Sequence, residues 1–292
     1  MVCNLCPRRC GALRTPERGE GYCRAPDALM VARAALHLWE EPCLSGTNGA
    51  GTVFFSGCSL GCRFCQNGPI SHENFGKVVS EEHLRAIFAR LAAQGAHNIE
   101  LVTPTHFTHI LARVLEGGVP GGLPVVWNSG GYESVPALKL LEGKVDIYLP
   151  DLKYLTPERA ARYSGAPDYP RAAAAAIEEM YRQRGPVRME GELLKSGVVI
   201  RHLMLPGGLA EAKRVMDYVA AAFPPEAVLF SLMAQYTPMG DLSACPEIGR
   251  ALRPSEVRAA RQYMADLGLS GYVQDLESVG EGFTPAFDLT GV

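Results

Sequence analysis

Short runs of apolar, often β-branched residues alternate along this chain with segments whose apolar residues recur every three or four positions. The first pattern fits strands buried on both faces, the second amphipathic helices. Residues 51–55, 98–103, 124–128, 145–150, 198–205 and 228–233 are the predicted strands, with 271–275 a further candidate. Helical patterns follow Ser80 and cover 107–116, 135–141, 169–184, 209–223 and 255–267. Ser80 is a good N-cap, with Glu81 and Glu82 in the first turn and Leu84, Ile87, Phe88 and Leu91 on one face. Ser255 starts the last helix just after Pro254, with Glu256 in its first turn. Residues 117–122 and 184–196 read as loops.

Strand–helix alternation calls for parallel strands joined by crossover helices. Six such units cannot close an eight-stranded barrel, so the expected core is an α/β partial (β/α)6 TIM-like barrel. Loops after the C-terminal strand ends carry the chemistry in such folds. The first fifty residues differ: they hold Cys3, Cys6, Cys10 and Cys23, several prolines and glycines, and no long periodic segment. That is the composition of a small module folded around a metal. The expected division is a Cys-rich N-terminal extension over 1–48 and the barrel over 49–292.

Composition narrows the class. Hydrophobic residues make up 47% and charged residues 20% of 292, enough for a large core. A net charge of −3 speaks against a nucleic-acid partner. No run of about 18 apolar residues suggests a membrane span, and no apolar signal core follows Met1. Nine cysteines without an export signal read as metal ligands in a reducing cytoplasm.

The densest chemistry lies between Gly57 and Asn67, where Cys58, Cys62 and Cys65 form C-x3-C-x2-C directly after the first predicted strand. Three thiolates hold three irons of a four-iron cluster, and the missing fourth ligand leaves one iron open. With no partner pair just downstream, the run is a poor zinc pattern. Cys3-x2-Cys6-x3-Cys10 and Cys23 supply four more thiolates, for zinc or an auxiliary iron–sulfur cluster; spacing does not decide between them. Cys43 and Cys245 are isolated and read as buried small hydrophobes.

The cysteine loop, with Phe64 before its last cysteine, resembles that of the radical SAM superfamily. Nearly end to end, the chain is similar to pyruvate formate-lyase activating enzyme-like iron–sulfur proteins. The matching segments are Cys3 to Cys10, Glu40-Glu41-Pro42, Cys58 to Asn67, Asn98 to Phe107, Val145 to Tyr154, Ile200 to Gly207 and Ser231 to Tyr236. The resemblance implies a [4Fe–4S] cluster on Cys58, Cys62 and Cys65, with S-adenosylmethionine (SAM) on the open iron. It places Asp151, Lys153 and Arg201 near the SAM carboxylate and ribose. Strand-end position adds Thr103, Asn128, Ser129, Gln235 and Tyr236 as candidate SAM or substrate contacts. A flavodoxin- or ferredoxin-type electron donor, and a protein substrate such as a glycyl radical enzyme, are the implied partners. A small molecule or peptide is the other substrate class, and a non-catalytic electron-transfer protein the other kind of function. Two departures stand out. Val102-Thr103-Pro104-Thr105 replaces the Gly-Gly-Glu stretch that usually binds the SAM amino group, and the extra cysteines precede the barrel.

Overall fold

The computed structural model describes residues 2–274 and 285–292. Seven strands run parallel, each hydrogen-bonded to the next in chain order: Ala50–Phe55, Ile99–Val102, Val125–Ser129, Ile147–Pro150, Leu193–Leu203, Leu229–Met233 and Gly271–Val273. All seven fall on predicted strands; Asp275, the last residue of the seventh candidate, lies outside the described residues. The free edge of the first strand pairs antiparallel with Leu29–His37, which pairs antiparallel with Lys77–Val79. First and seventh strands therefore do not meet among the described residues, and the barrel is partial.

Residues 29–37 thus belong to the sheet, and position 48 falls inside a hairpin of that sheet rather than between two bodies. Val2–Cys3 and Ala12–Leu13 form their own small antiparallel pair. The expected loop over 184–196 is a correction. Arg188–Glu190 pairs antiparallel with the start of Leu193–Leu203, whose strand begins five residues ahead of the predicted run at 198. That pairing satisfies backbone groups of a stretch too polar to announce itself as a strand.

Helices cover the outer face: Glu81–Ala93, Thr108–Val114, Val135–Lys139, Tyr169–Arg184, Leu209–Ala222 and Pro254–Asp266. Ser80 Oγ accepts from the His83 N–H at 3.0 Å, the cap its sequence promised. An unforeseen helix, Pro157–Ser164, has Pro at its first turn and ends at Gly165 in the left-handed region.

Strand residues alternate between the two faces. Trp127, Tyr148, Val198 and Ile200 pack outward in the main core, while Val126, Ile147, Leu149 and Val199 pack inward with Cys43 and Leu44. Cys43 and Leu44 belong to the short helix Pro42–Ser45, which plugs the barrel interior. Asn98 Nδ2 donates to Leu44 O at 2.9 Å and ties the plug to the second strand. Full burial of a side chain such as Leu44 contributes about 1.5–3 kcal/mol. Cys245 is buried as well, so both isolated cysteines pack as small hydrophobes.

Candidate active site

The first parallel strand delivers the cysteine loop. Ser56, just past its end, has its carbonyl held by His106 Nε2 at 2.7 Å. Gly57 follows at φ +88°, where a Cβ would meet Cys23 O at 2.9 Å. Only glycine turns the chain there without strain. The loop then presents three sulfurs, and each accepts a hydrogen bond. Leu60 N–H donates to Cys58 Sγ at 3.3 Å, Ser164 Oγ to Cys62 Sγ at 3.1 Å and Ser71 Oγ to Cys65 Sγ at 3.2 Å. Hydrogen bonds to cysteine sulfur stabilise the thiolates of an iron–sulfur cluster and tune its potential.

Burial pushes the Cys62 thiol up to about 12, against the pull of Lys153, and burial likewise raises Cys65. A bound metal reverses that balance, because coordination deprotonates the thiol outright. Among the described residues no three His, Cys, Asp or Glu side chains converge on one ion. Cysteines on separate irons of a four-iron cube need not converge in that way, so the donor set fits a cluster.

The loop borders a cavity of about 1020 Å³, at the upper end of ligand-site sizes. Cys58, Cys62, Phe64 and Cys65 line it from the loop. Thr103, Asn128, Ser129, Asp151, Lys153, Arg201 and Gln235 line it from the C-terminal ends of the strands. Thr103 sits at φ +57°, an unusual conformation for a β-branched residue, of the kind that clusters at working sites. Thr105 turns away and donates to the buried carboxylate of Glu133 at 2.6 Å. Tyr236 also turns away: its hydroxyl donates to Ile248 O, and its ring packs edge-on to Phe64. His202 lies on the opposite face of its strand from Arg201, against Leu152 O at 2.8 Å. His106 and His109 have separate partners, His106 the Ser56 carbonyl and His109 the Asp27 carboxylate at 2.7 Å.

A web of charge crosses the cavity wall. Arg201 donates from Nε to Asp151 at 3.0 Å, from Nη1 to Glu40 at 3.4 Å and from Nη2 to Asn128 at 2.5 Å. Lys153 Nζ meets the other Asp151 oxygen at 2.5 Å. Burial alone raises the Asp151 carboxyl, but Lys153 and Arg201 outweigh it and hold the group below the ordinary carboxylate range. Burial lowers Lys153, and Asp151 more than restores it, so the amine stays charged.

Glu40, Glu41 and Glu100 carry no assigned role in the sequence reading. Glu40 and Glu41 precede the plug helix and line the cavity; Glu100 is buried on the second strand beneath Asn128. Burial raises all three carboxyls and Arg201 opposes it in each, while Asp151 adds to the rise of Glu40, Glu40 to that of Glu41, and Glu40 and Glu41 to that of Glu100. Glu41 is 1% exposed, and neither of its carboxyl oxygens has a hydrogen-bond partner among the described residues. Adjacent acids before a proline usually read as a solvated turn, and only the plug topology brings them inside.

The N-terminal cysteines gather separately. Cys3 and Cys6 are buried, Cys23 half-buried and Cys10 exposed. Burial pushes the Cys6 thiol up to about 12 and raises Cys23, with the nearby Cys3 and Cys10 adding to both. Arg14, buried behind them, reaches Cys3 Sγ at 3.7 Å.

Residues 45–133 match the model of a 4Fe-4S single cluster domain. Over 266 residues the chain is 29% identical to an uncharacterized protein of Methanocaldococcus jannaschii, across 88% of this chain and 72% of that one. A domain of pyruvate-formate lyase-activating enzyme from Bacteroides vulgatus superposes at TM-score 0.43 and 13% identity, over 58% of this chain and 92% of that one. Methylornithine synthase does so at TM-score 0.43 and 14% identity, over 74% and 68%. Within the span matched by the cluster domain the only cysteines are Cys58, Cys62 and Cys65. The matched span is thus similar to a 4Fe-4S single cluster domain and holds three cysteines, carried at the end of the first strand of an open parallel barrel.

Proposed function

We propose that this protein is a radical SAM enzyme: it cleaves S-adenosylmethionine reductively and uses the product to take a hydrogen atom from a substrate. The reading rests on one observation above all. The three cysteines line one cavity with Phe64, Thr103, Asn128, Ser129, Asp151, Lys153, Arg201 and Gln235; of the strand-end candidates named from the sequence, Tyr236 alone turns away. A 4Fe–4S cluster held by Cys58, Cys62 and Cys65 would supply the one-electron reduction that splits SAM to methionine and a 5′-deoxyadenosyl fragment able to take hydrogen from a substrate.

The chain's own residues bind, orient and shield. Cys58, Cys62 and Cys65 would hold the cluster by three thiolates, one fewer than its four irons. Lys153, which faces Cys62 and Cys65, supplies a cation for the SAM carboxylate. Asp151 holds Lys153 and Arg201 in place and offers acceptors to ribose hydroxyls. Asn128, Ser129, Thr103 and Gln235 offer polar contacts from the strand ends, and Phe64 lines the cavity from the loop. Burial around these groups keeps water from a reactive intermediate. The electron comes from a flavodoxin- or ferredoxin-type donor. The hydrogen comes from a glycine of a partner glycyl radical enzyme, or from a small molecule or peptide that enters the cavity. For the four N-terminal thiols, which do not converge on one ion among the described residues, zinc and an auxiliary iron–sulfur cluster are the two candidates, and iron and zinc counts per chain test both.

Equilibrium binding of SAM to anaerobically reconstituted and to iron-free protein tests the reading. Tenfold or greater tightening with iron is expected, because the open iron is itself a ligand-binding position. Equal affinities would sink it.

A further inference from the structure

One guanidinium outside the cavity joins three separate parts of the chain at the cysteine loop. Arg8 Nε donates to Ser59 O at 2.8 Å, and Nη2 to Leu60 O at 3.1 Å, both within the cluster loop. Nη2 also donates to Ser164 O at 3.1 Å and Nη1 to Gly165 O at 2.7 Å. Ser164 closes the helix Pro157–Ser164, and Gly165 is its left-handed cap. The last carbonyls of a helix lack partners within it and carry negative partial charge, which a cation satisfies well. Ser164 is also the residue whose hydroxyl reaches Cys62 Sγ.

The N-terminal module holds this guanidinium in place. Its plane lies 3.7 Å over the Tyr22 ring, and the Tyr22 hydroxyl donates to Leu60 O at 3.2 Å. Gly61 passes so close that a Cβ would lie 2.8 Å from that hydroxyl. Arg8 stands between Cys6 and Cys10, and Tyr22 beside Cys23. The module that seemed a separate appendage by sequence therefore grips the loop at Ser59, Leu60 and Gly61.

We propose that Arg8 is a positioning residue for the iron–sulfur cluster: it clasps the cysteine loop to the helix end at Ser164, fixing both the loop and the hydroxyl that donates to Cys62. A fork of planar donors suits four carbonyls from two segments, and lysine cannot reproduce it. This inference rests on the reading of Cys58, Cys62 and Cys65 as cluster ligands, but its first test needs no cluster.

Hydrogen exchange of the iron-free full chain, followed in peptides covering 57–67 and 157–166, is compared between wild type and Arg8→Ala. Exchange in both segments is expected to rise about tenfold or more, as loss of a charge-assisted hydrogen bond produces. Wild-type exchange in both would overturn the clasp. The second readout is the midpoint potential of the reconstituted cluster. Arg8→Ala is expected to lower it by loosening the Ser164 bond to Cys62 Sγ, and Arg8→Lys to recover it in part. A potential unchanged in Arg8→Ala, at wild-type iron content, would overturn the link to the cluster. If Arg8→Ala does not fold, Arg8→Lys together with Tyr22→Phe decides by the same two readouts. Failure to bind iron with the exchange result intact would count against the ligand assignment and leave the clasp standing.

Discussion

Arg201 Nε donates to Asp151 Oδ1 at 3.0 Å, tying the end of the fifth parallel strand to the end of the fourth across the cavity wall. Asp151 is the hinge of that arrangement, because its other oxygen holds Lys153. Asp151→Asn leaves two buried cations facing a neutral amide. The expected cost is about 3 kcal/mol of stability, read as a lower urea midpoint at unchanged slope. The sign with pH also follows. The Asp151 carboxyl is held below its ordinary value, so its contribution is present above the usual carboxylate range and is lost as pH falls through the depressed value. Asp151→Asn should lack that acid-side loss; an undiminished loss would assign it to other groups.

His106 gives a second acid-sensitive point. Burial holds its pKa down to about 3, against 6.5 for the free side chain, and its Nε2–H donates to Ser56 O next to the cluster loop. With the folded value depressed, the unfolded chain binds the extra proton first. Stability is complete above about 6.5 and falls as pH drops toward 3. The slope from this one group reaches about 1.4 kcal/mol per pH unit. Unfolding measured between pH 4 and 7 should show a reduced slope in His106→Gln. An identical slope would contradict the assignment.

Glu41 works in the opposite direction. Burial and the neighbouring Glu40 raise its carboxyl, opposed by Arg201. A raised value means that its contribution is present at acid pH and is lost as pH climbs through the folded value. Glu41→Gln removes the need to bury a charge. Relative to wild type the variant should gain about 1 kcal/mol or more between pH 5 and pH 8. A difference that does not change with pH would show that Glu41 does not titrate in this range.

Much of this was legible in the chain because parallel strands buried on both faces announce themselves as continuous apolar runs. The helix Tyr169–Arg184 was legible to the residue, with Pro170 in its first turn and Gly185 after its end. Residues 29–37 were not. The run Leu-Met-Val-Ala-Arg-Ala-Ala-Leu-His mixes helix-forming alanines with strand formers, and its pairing with the first parallel strand decides the outcome. The strand-end residues of the cavity were legible because topology fixes where such ends point. Arg8, Ser164, Glu40 and Glu41 were not, since their roles come from contacts between segments far apart in sequence. The grip of the N-terminal module on the loop belongs to the same class.

The central claim is that Cys58, Cys62 and Cys65 hold a cluster that cleaves SAM. The most direct measurement reconstitutes wild type and the Cys58→Ala, Cys62→Ala and Cys65→Ala variants anaerobically with iron and sulfide. Dithionite and SAM are then added, and 5′-deoxyadenosine and methionine are counted. The account predicts both products in equal amounts from wild type, and none from any of the three variants. An intact wild-type cluster that yields neither product, or a Cys62→Ala variant that yields both at the wild-type rate, would contradict it.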